Sequence, residues 1–165
     1  MKEIQLSKQG KNKDKFIALV DDEDYDYLNQ WRWSVVERHR TCYAMRIEVT
    51  EGGRTTFFMH RFIMNTPRDI QVDHIDGNGL NNQKSNLRNA THGQNQSNRK
   101  SWGRSVYLGV SFQKGGYLST IRSNNKQIYL GLFTSEEEAA IAYDKAALAL
   151  HGEFSRLNFP LNNSQ

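Results

Sequence analysis

A chain of 165 residues accommodates one ordinary domain or two small ones, and a hydrophobic fraction of 37% argues for short elements around small cores. The net charge is +4 with an isoelectric point near 9.2, and the basic excess is central: residues 1–53 carry −1, 54–103 carry +4, 104–134 carry +4 and 135–165 carry −3. A single cysteine, Cys42, excludes an intramolecular disulfide and any all-cysteine zinc site. No stretch approaches the ~18 apolar residues of a membrane span, and the first residues have no apolar signal core, so the expectation is a cytoplasmic protein with no membrane partner.

A central basic stretch is what a phosphate-facing surface looks like, since counterion release drives nucleic-acid binding; a plain solvated face has the same composition. Along the chain, residues 4–49 alternate apolar and polar positions in short runs. Phe16 to Val20 and Cys42 to Val49 read as strands, and Asp22 to Leu28 as a short helix with an acidic first turn. Gly52-Gly53 marks a hairpin turn into Thr55 to Met59, so the N-terminal part is a β-rich scaffold, with Trp31 and Trp33 in its core. A helix is predicted over 59–65, stopping before Pro67 and carrying His60.

The densest chemistry lies in 72–95. Asp73 beside His74, followed by the amides of Asn78, Asn81, Asn82, Asn86 and Asn95, offers oxygen ligands for a hard cation and a neutral imidazole base. Ordinary Asn-Gly turns would use the same residues. Adjacent strand positions face opposite ways, so Asp73 and His74 would approach a phosphate from two sides. Thr91 caps a helix that carries Asn95. Asp76 and Asn78 shape the tight loop through side-chain to backbone hydrogen bonds, and His92 and Asn98 are alternative ligands. Arg61, Arg88 and Arg99 are candidate phosphate clamps. Residues 100–105 have the composition of a linker.

From Val106 the pattern predicts three strands, Tyr107–Phe112, Tyr117–Arg122 and Gln127–Phe133, joined by Gly- and Asn-containing turns. Ser135, with Glu138 three residues on, opens a helix as a capping box. Ala139, Ala142, Tyr143, Ala146 and Leu150 give it an apolar stripe. Pro160 closes the ordered part and 161–165 form a tail.

Taken together, Val72-Asp73-His74-Ile75-Asp76-Gly77-Asn78, Asn81-Asn82, Ser85-Asn86-Leu87-Arg88 and Asn95 resemble the HNH homing-endonuclease family, with His60-Arg61-Phe62 as an upstream segment. The resemblance spans about 55–99 and extends loosely to residue 1. It implies an α+β fold: an HNH nuclease domain over 1–99, whose ββα-metal core of about 55–99 follows the β-rich scaffold 1–54. It further implies a metal site of Asp73 and Asn95 holding Mg²⁺ or Mn²⁺, His74 as general base, and Asn86 hydrogen-bonded to the imidazole to fix its orientation. The zinc-stabilised version of that fold is excluded by the lone cysteine. Such proteins are typically encoded by phages or mobile elements.

Residues 106–160 are similar to the plant APETALA/ethylene-response-factor DNA-binding domain, a three-stranded antiparallel sheet packed on one helix. The residues that carry this are Tyr107 to Val110, Tyr117 to Arg122, Tyr129 to Phe133, Glu137 to Asp144 and Leu157 to Pro160. By position the resemblance implies double-stranded DNA contacts from Lys114, Tyr117, Thr120, Arg122, Gln127 and Tyr129. Leu108, Ser111 and Gln113 stand where that family favours other, mostly basic, residues. The implied function is a metal-dependent DNA endonuclease producing 5′-phosphate and 3′-hydroxyl ends. A non-cleaving DNA-binding regulator is the alternative, and an RNA-binding protein a third reading, supported only by Tyr117 and Tyr129 as stacking platforms.

Overall fold

The computed structural model describes residues 1–7, 16–38, 41–98, 105–124 and 126–160. The chain forms two compact units, Met1–His92 and Gly93–Gln165, built from several small sheets and short helices. The expected linker lies almost wholly outside the described residues, as do Arg99 and the tail 161–165.

In the first unit, β1 (Lys2–Leu6) pairs antiparallel with β2 (Phe16–Val20). Strand alternation sends Ile4, Leu6, Ala18 and Val20 inward. The helix α1 (Asp22–Leu28) adds Leu28 to this core, and the buried indole of Trp33 donates to the Leu28 carbonyl at 2.8 Å. A second sheet has the order β3 (Ser34–Glu37), β4 (Cys42–Thr50), β5 (Gly53–Phe58). Its β4–β5 turn uses Gly53 at φ 116°, a conformation open mainly to glycine. Trp31 is half-buried against the core, as expected, with the Arg46 guanidinium 4.8 Å from its ring.

The helix α2 (Met59–Met64) begins where β5 ends, so Met59 is helical and not the last strand residue. It stops one residue earlier than predicted because Asn65 turns left-handed at φ 45°, a cap that asparagine tolerates, two residues ahead of Pro67. Then come β6 (Gln71–His74) and β7 (Leu87–Ala90), an antiparallel pair with Asp73 opposite Arg88 and His74 opposite Leu87. The helix α3 (His92–Ser97) follows.

In the second unit, β8 (Val110–Gln113), β9 (Gly116–Ser123) and β10 (Lys126–Phe133) form the expected meander. The first strand is shorter than predicted. Gly109, at φ 72°, breaks it: a Cβ there would sit 2.0 Å from the Tyr143 ring and 2.6 Å from the Thr120 carbonyl oxygen. The helix α4 (Glu136–His151) is capped by Ser135, whose Oγ accepts from the Glu138 N–H at 3.1 Å, while the Glu138 carboxylate takes the Thr134 hydroxyl at 3.2 Å. Its buried positions are Ala139, Ala140, Asp144 and Ala147. Leu150, expected on the apolar stripe, is exposed.

Asp144 is buried because it is a fastener. Its carboxylate accepts from the Asn158 N–H at 2.9 Å, the Asn158 side chain at 3.1 Å and the Phe159 N–H at 2.9 Å. The Asn158 carboxamide in turn holds both backbone groups of Leu108. Asn158→Ala is therefore expected to destabilise the second unit by about 2–3 kcal/mol, through several lost bonds and a less satisfied buried carboxylate. Urea unfolding checks this, and a midpoint unchanged from that of the unsubstituted chain would contradict it.

Candidate functional site

The strand pair β6–β7 and its connecting loop bring Asp73, His74 and Asn86 together in the first unit. Asp73 and His74 are 4% and 5% exposed. Directly opposite residues of an antiparallel pair share a face, so Asp73 meets Arg88: its Oδ2 accepts from Arg88 Nε at 2.8 Å and Nη2 at 2.7 Å. The guanidinium of Arg88, expected as a phosphate clamp, is thus paired with the carboxylate it opposes.

His74 packs instead against other rings. His60 on α2 meets it in a T-shaped pair, with centroids 5.0 Å apart and planes at 84°, and Tyr43 on β4 is 5.7 Å away. Burial lowers the His74 pKa from its ordinary value, opposed by the Asn82 carboxamide and the carboxylates of Asp76 and Asp73. The ring is thus neutral at neutral pH, the form a base must have. His60 is pushed down to about 3 by burial, then by its neighbours His74 and Arg61. Burial and the Asp73 charge raise the Tyr43 phenol, against Arg38.

Asn86 does something other than expected. Its Oδ1 accepts from the Asp76 N–H at 3.0 Å, and its Nδ2 donates to Asp76 Oδ1 at 3.0 Å and to the Asn81 carbonyl at 2.9 Å. The expected bond to the imidazole is replaced by these, because the 3-10 turn Lys84–Asn86 aims the amide into the loop. Asp76 and Asn78 shape that loop as predicted: the Asn78 N–H donates to Asp76 Oδ1 at 2.7 Å and the Leu80 N–H to Asn78 Oδ1 at 3.1 Å. For the Asp76 carboxyl, burial is outweighed by the hydrogen bonds from Asn78, Asn81 and Asn86 and by nearby His74, and its pKa is lowered.

The residue that does act on His74 is Asn82, which the sequence offered only as one of several candidate amide ligands. It is fully buried. Its N–H donates to the Leu19 carbonyl and the Leu19 N–H to Leu80, both at 2.8 Å, so the loop is stitched to β2. Asp21 adds two bonds, to the Gln83 side chain at 3.1 Å and the Lys84 N–H at 2.8 Å. Arg61, another expected clamp, donates through its guanidinium to the carbonyls of Ile70, Thr66 and Pro67, closing the turn after α2. His92, the alternative ligand, is bonded through Nδ1 to the Gln71 amide at 3.1 Å. Asn95 stands on α3, half-buried, in the stretch that opens the second unit.

Among the described residues no three of His, Cys, Asp and Glu gather as a metal cage. The donors available are a carboxylate and carboxamides. That oxygen chemistry fits a hard divalent cation that keeps most of its shell as water and phosphate oxygen.

In the second unit, register decides which side chains face away from α4. Arg122 opposes Gln127 and Thr120 opposes Tyr129, and Ser119 and Ile121 between them are buried beneath. Thr120, Arg122, Gln127 and Tyr129 therefore share the outer face, with Tyr129 66% exposed and the Gln127 amide on the Thr120 hydroxyl at 3.2 Å. Lys114 is exposed in the β8–β9 turn. Tyr117 is the exception. It lies two residues from Ser119, on the side of α4, and packs against Val110, Ala139 and Ala140, away from the face that carries the other expected DNA contacts.

No protein-family model matches the chain. It is 38% identical over 141 residues to a protein of Acanthamoeba polyphaga mimivirus named as an uncharacterized HNH endonuclease, covering 81% of this chain and 74% of that one. It is also 49% identical over 59 residues to an ethylene-responsive transcription factor of Arabidopsis thaliana, covering 33% of this chain and 32% of the factor. An Arabidopsis dehydration-responsive element-binding protein is 50% identical over 38 residues, 23% of this chain and 16% of that protein. The chain thus spans about a third of the plant factor or less. No helix among the described residues is long and apolar enough to cross a membrane.

Proposed function

Because the chain belongs to the HNH endonuclease family and carries an APETALA/ethylene-response-factor-type domain, we propose that it is a metal-dependent endonuclease that hydrolyses phosphodiester bonds of double-stranded DNA. The observation that carries this reading is His74: a buried, neutral imidazole one residue from a carboxylate, on a strand pair braced by Asn86 and Asn82. His74 takes the proton from the attacking water. Asn86 acts as a positioning residue, since its bonds set the loop that follows His74. Asp73 and Asn95 would hold the divalent cation, Mg²⁺ or Mn²⁺, as in a ββα-metal site. When bound, the cation neutralises charge on the scissile phosphate and on the departing oxygen.

The second unit supplies affinity and register through Lys114, Thr120, Arg122, Gln127 and Tyr129. Arg122 is the base-reading candidate, because a guanidinium meets the O6 and N7 of guanine with two bonds. Arg122→Ala is expected to weaken binding to the preferred duplex by about 1–3 kcal/mol, read by fluorescence anisotropy across salt concentrations. An equal loss on all sequences would reassign Arg122 to phosphate contact. The function itself is tested by the ends of the product. Fragments made with Mg²⁺ should be joined by DNA ligase without prior phosphorylation, as 5′-phosphate and 3′-hydroxyl ends require. No fragments, with salt-sensitive binding retained, would instead make the chain a DNA-binding regulator.

A further inference from the structure

The proposed cation site brings one formal negative charge. Its two protein ligands are a carboxylate, Asp73, and a neutral carboxamide, Asn95, and among the described residues no three side chains of His, Cys, Asp and Glu gather to add more. The other carboxylate of the β6–β7 pair and its loop, Asp76, is occupied: its oxygens take the Asn78 N–H and the amides of Asn81 and Asn86. The Asp73 charge is already matched as well. Arg88 stands opposite it across the strand pair, and Nε and Nη2 both donate to Oδ2, at 2.8 and 2.7 Å.

Where the pair lies matters as much as the pairing. The Arg88 and Asp73 side chains are 15% and 5% exposed, so salt screens them little. Both bonds fall on a single oxygen, and the guanidinium makes none to Oδ1. The carboxylate is thus gripped by one oxygen while its charge is cancelled. A divalent cation at Asp73 would meet the attraction of the carboxylate and the repulsion of the guanidinium together, and the two oppose each other.

We propose that Arg88 makes the cation site depend on DNA: by cancelling the Asp73 charge it keeps metal affinity low in the DNA-free protein, so the cation is taken up together with the phosphate that supplies the missing negative charge. The inference rests on Asp73 being a ligand in the proposed nuclease. Magnesium suits such a site, because it is usually held by one or two carboxylates together with substrate phosphates. The coupling is reciprocal, as linkage requires: duplex tightens the hold on metal, and metal tightens the hold on duplex. Arg88 therefore acts through Asp73 and needs no contact with DNA.

The test is Mn²⁺ binding to the DNA-free full chain, followed by loss of the electron paramagnetic resonance signal of the unbound ion. Arg88→Gln removes the charge but keeps a donor, since the glutamine Nε2 follows Cδ as the arginine Nε does. It should bind Mn²⁺ more tightly than the unsubstituted chain by about tenfold or more, whereas Arg88→Lys, which keeps the charge, should not. Adding Asp73→Asn to Arg88→Gln should abolish the gain. Equal affinities in the Arg88→Gln and unsubstituted chains, or a gain that survives Asp73→Asn, would overturn the proposal. None of these readings needs cleavage. A gain in Arg88→Gln where the unsubstituted chain does not cut DNA would sustain the role of Arg88 and remove the nuclease reading; cutting with Mg²⁺ but no gain would do the reverse. If Arg88→Gln does not fold, the coupling is read in His74→Ala by fluorescence anisotropy at matched ionic strength. Mg²⁺ should then tighten duplex binding about tenfold over EDTA, and no tightening, or tightening that survives Asp73→Asn, would overturn the proposal.

Discussion

His74→Ala is expected to lower the rate of DNA cleavage by about 10²–10⁴-fold, the usual worth of a positioned general base, while DNA binding is retained. The reasoning joins burial to protonation. His74 is 5% exposed, and burial keeps it neutral despite the carboxylates of Asp76 and Asp73 nearby. A ring that is neutral, desolvated and braced by its neighbours is prepared to take a proton from water. Its neighbours include the rings of His60 and Tyr43, at 5.0 and 5.7 Å, and the Asn82 carboxamide. Single-turnover cleavage and anisotropy, run on the same preparation, separate the two effects. A variant that cleaves at the original rate would remove His74 from the chemistry.

Gly79→Ala is expected to damage the same centre by a different route. A Cβ at position 79 would lie 2.5 Å from the Cys42 carbonyl oxygen and 2.6 Å from two atoms of the Tyr43 ring. The Gly79 N–H also donates to the Thr41 hydroxyl at 2.9 Å, so the loop cannot simply lift away from β4. Backbone does not yield as a flexible side-chain end does, and overpacking of this kind costs about 1–3 kcal/mol. Tyr43 would be driven toward His60 and His74, so cleavage should fall together with stability. Gly93→Ala is the matched control: on α3, with nothing within 4 Å of the added carbon, it should be neutral or gain up to about 1 kcal/mol from helix propensity. Urea midpoints that move alike in the two variants would contradict the packing argument.

Much of the architecture was legible because it rests on local rules. Phe16–Val20 alternates as a half-buried strand must, the acidic first turn marks α1, and Gly52-Gly53 marks a hairpin. The Ser135 cap and the meander turns follow from the same chemistry. Where expectation and structure part, the cause is a tertiary register that no short window contains. Arg88 reads as a free cation until β6 and β7 pair and set it opposite Asp73. Arg61 reads as a clamp until the turn after α2 offers it three carbonyls.

The same holds for Asn86 and Tyr117. An asparagine near a histidine suggests a bond between them, but the single 3-10 turn before β7 aims the amide at Asp76. Tyr117 and Thr120 are three residues apart on one strand and so lie on opposite faces; alternation would have separated them had the inner face been assigned first. The part played by Asn82 was harder to read for a further reason. It comes from burial beside His74, and an amide does not announce burial in a sequence.

Metal-dependent cleavage with His74 as base is tested most directly by conversion of supercoiled plasmid by the purified chain with Mg²⁺, beside an EDTA control and His74→Ala prepared identically. Open-circle or linear product is expected from the unsubstituted protein, and only with the metal present. Equal conversion in EDTA, or by the His74→Ala protein, would contradict it.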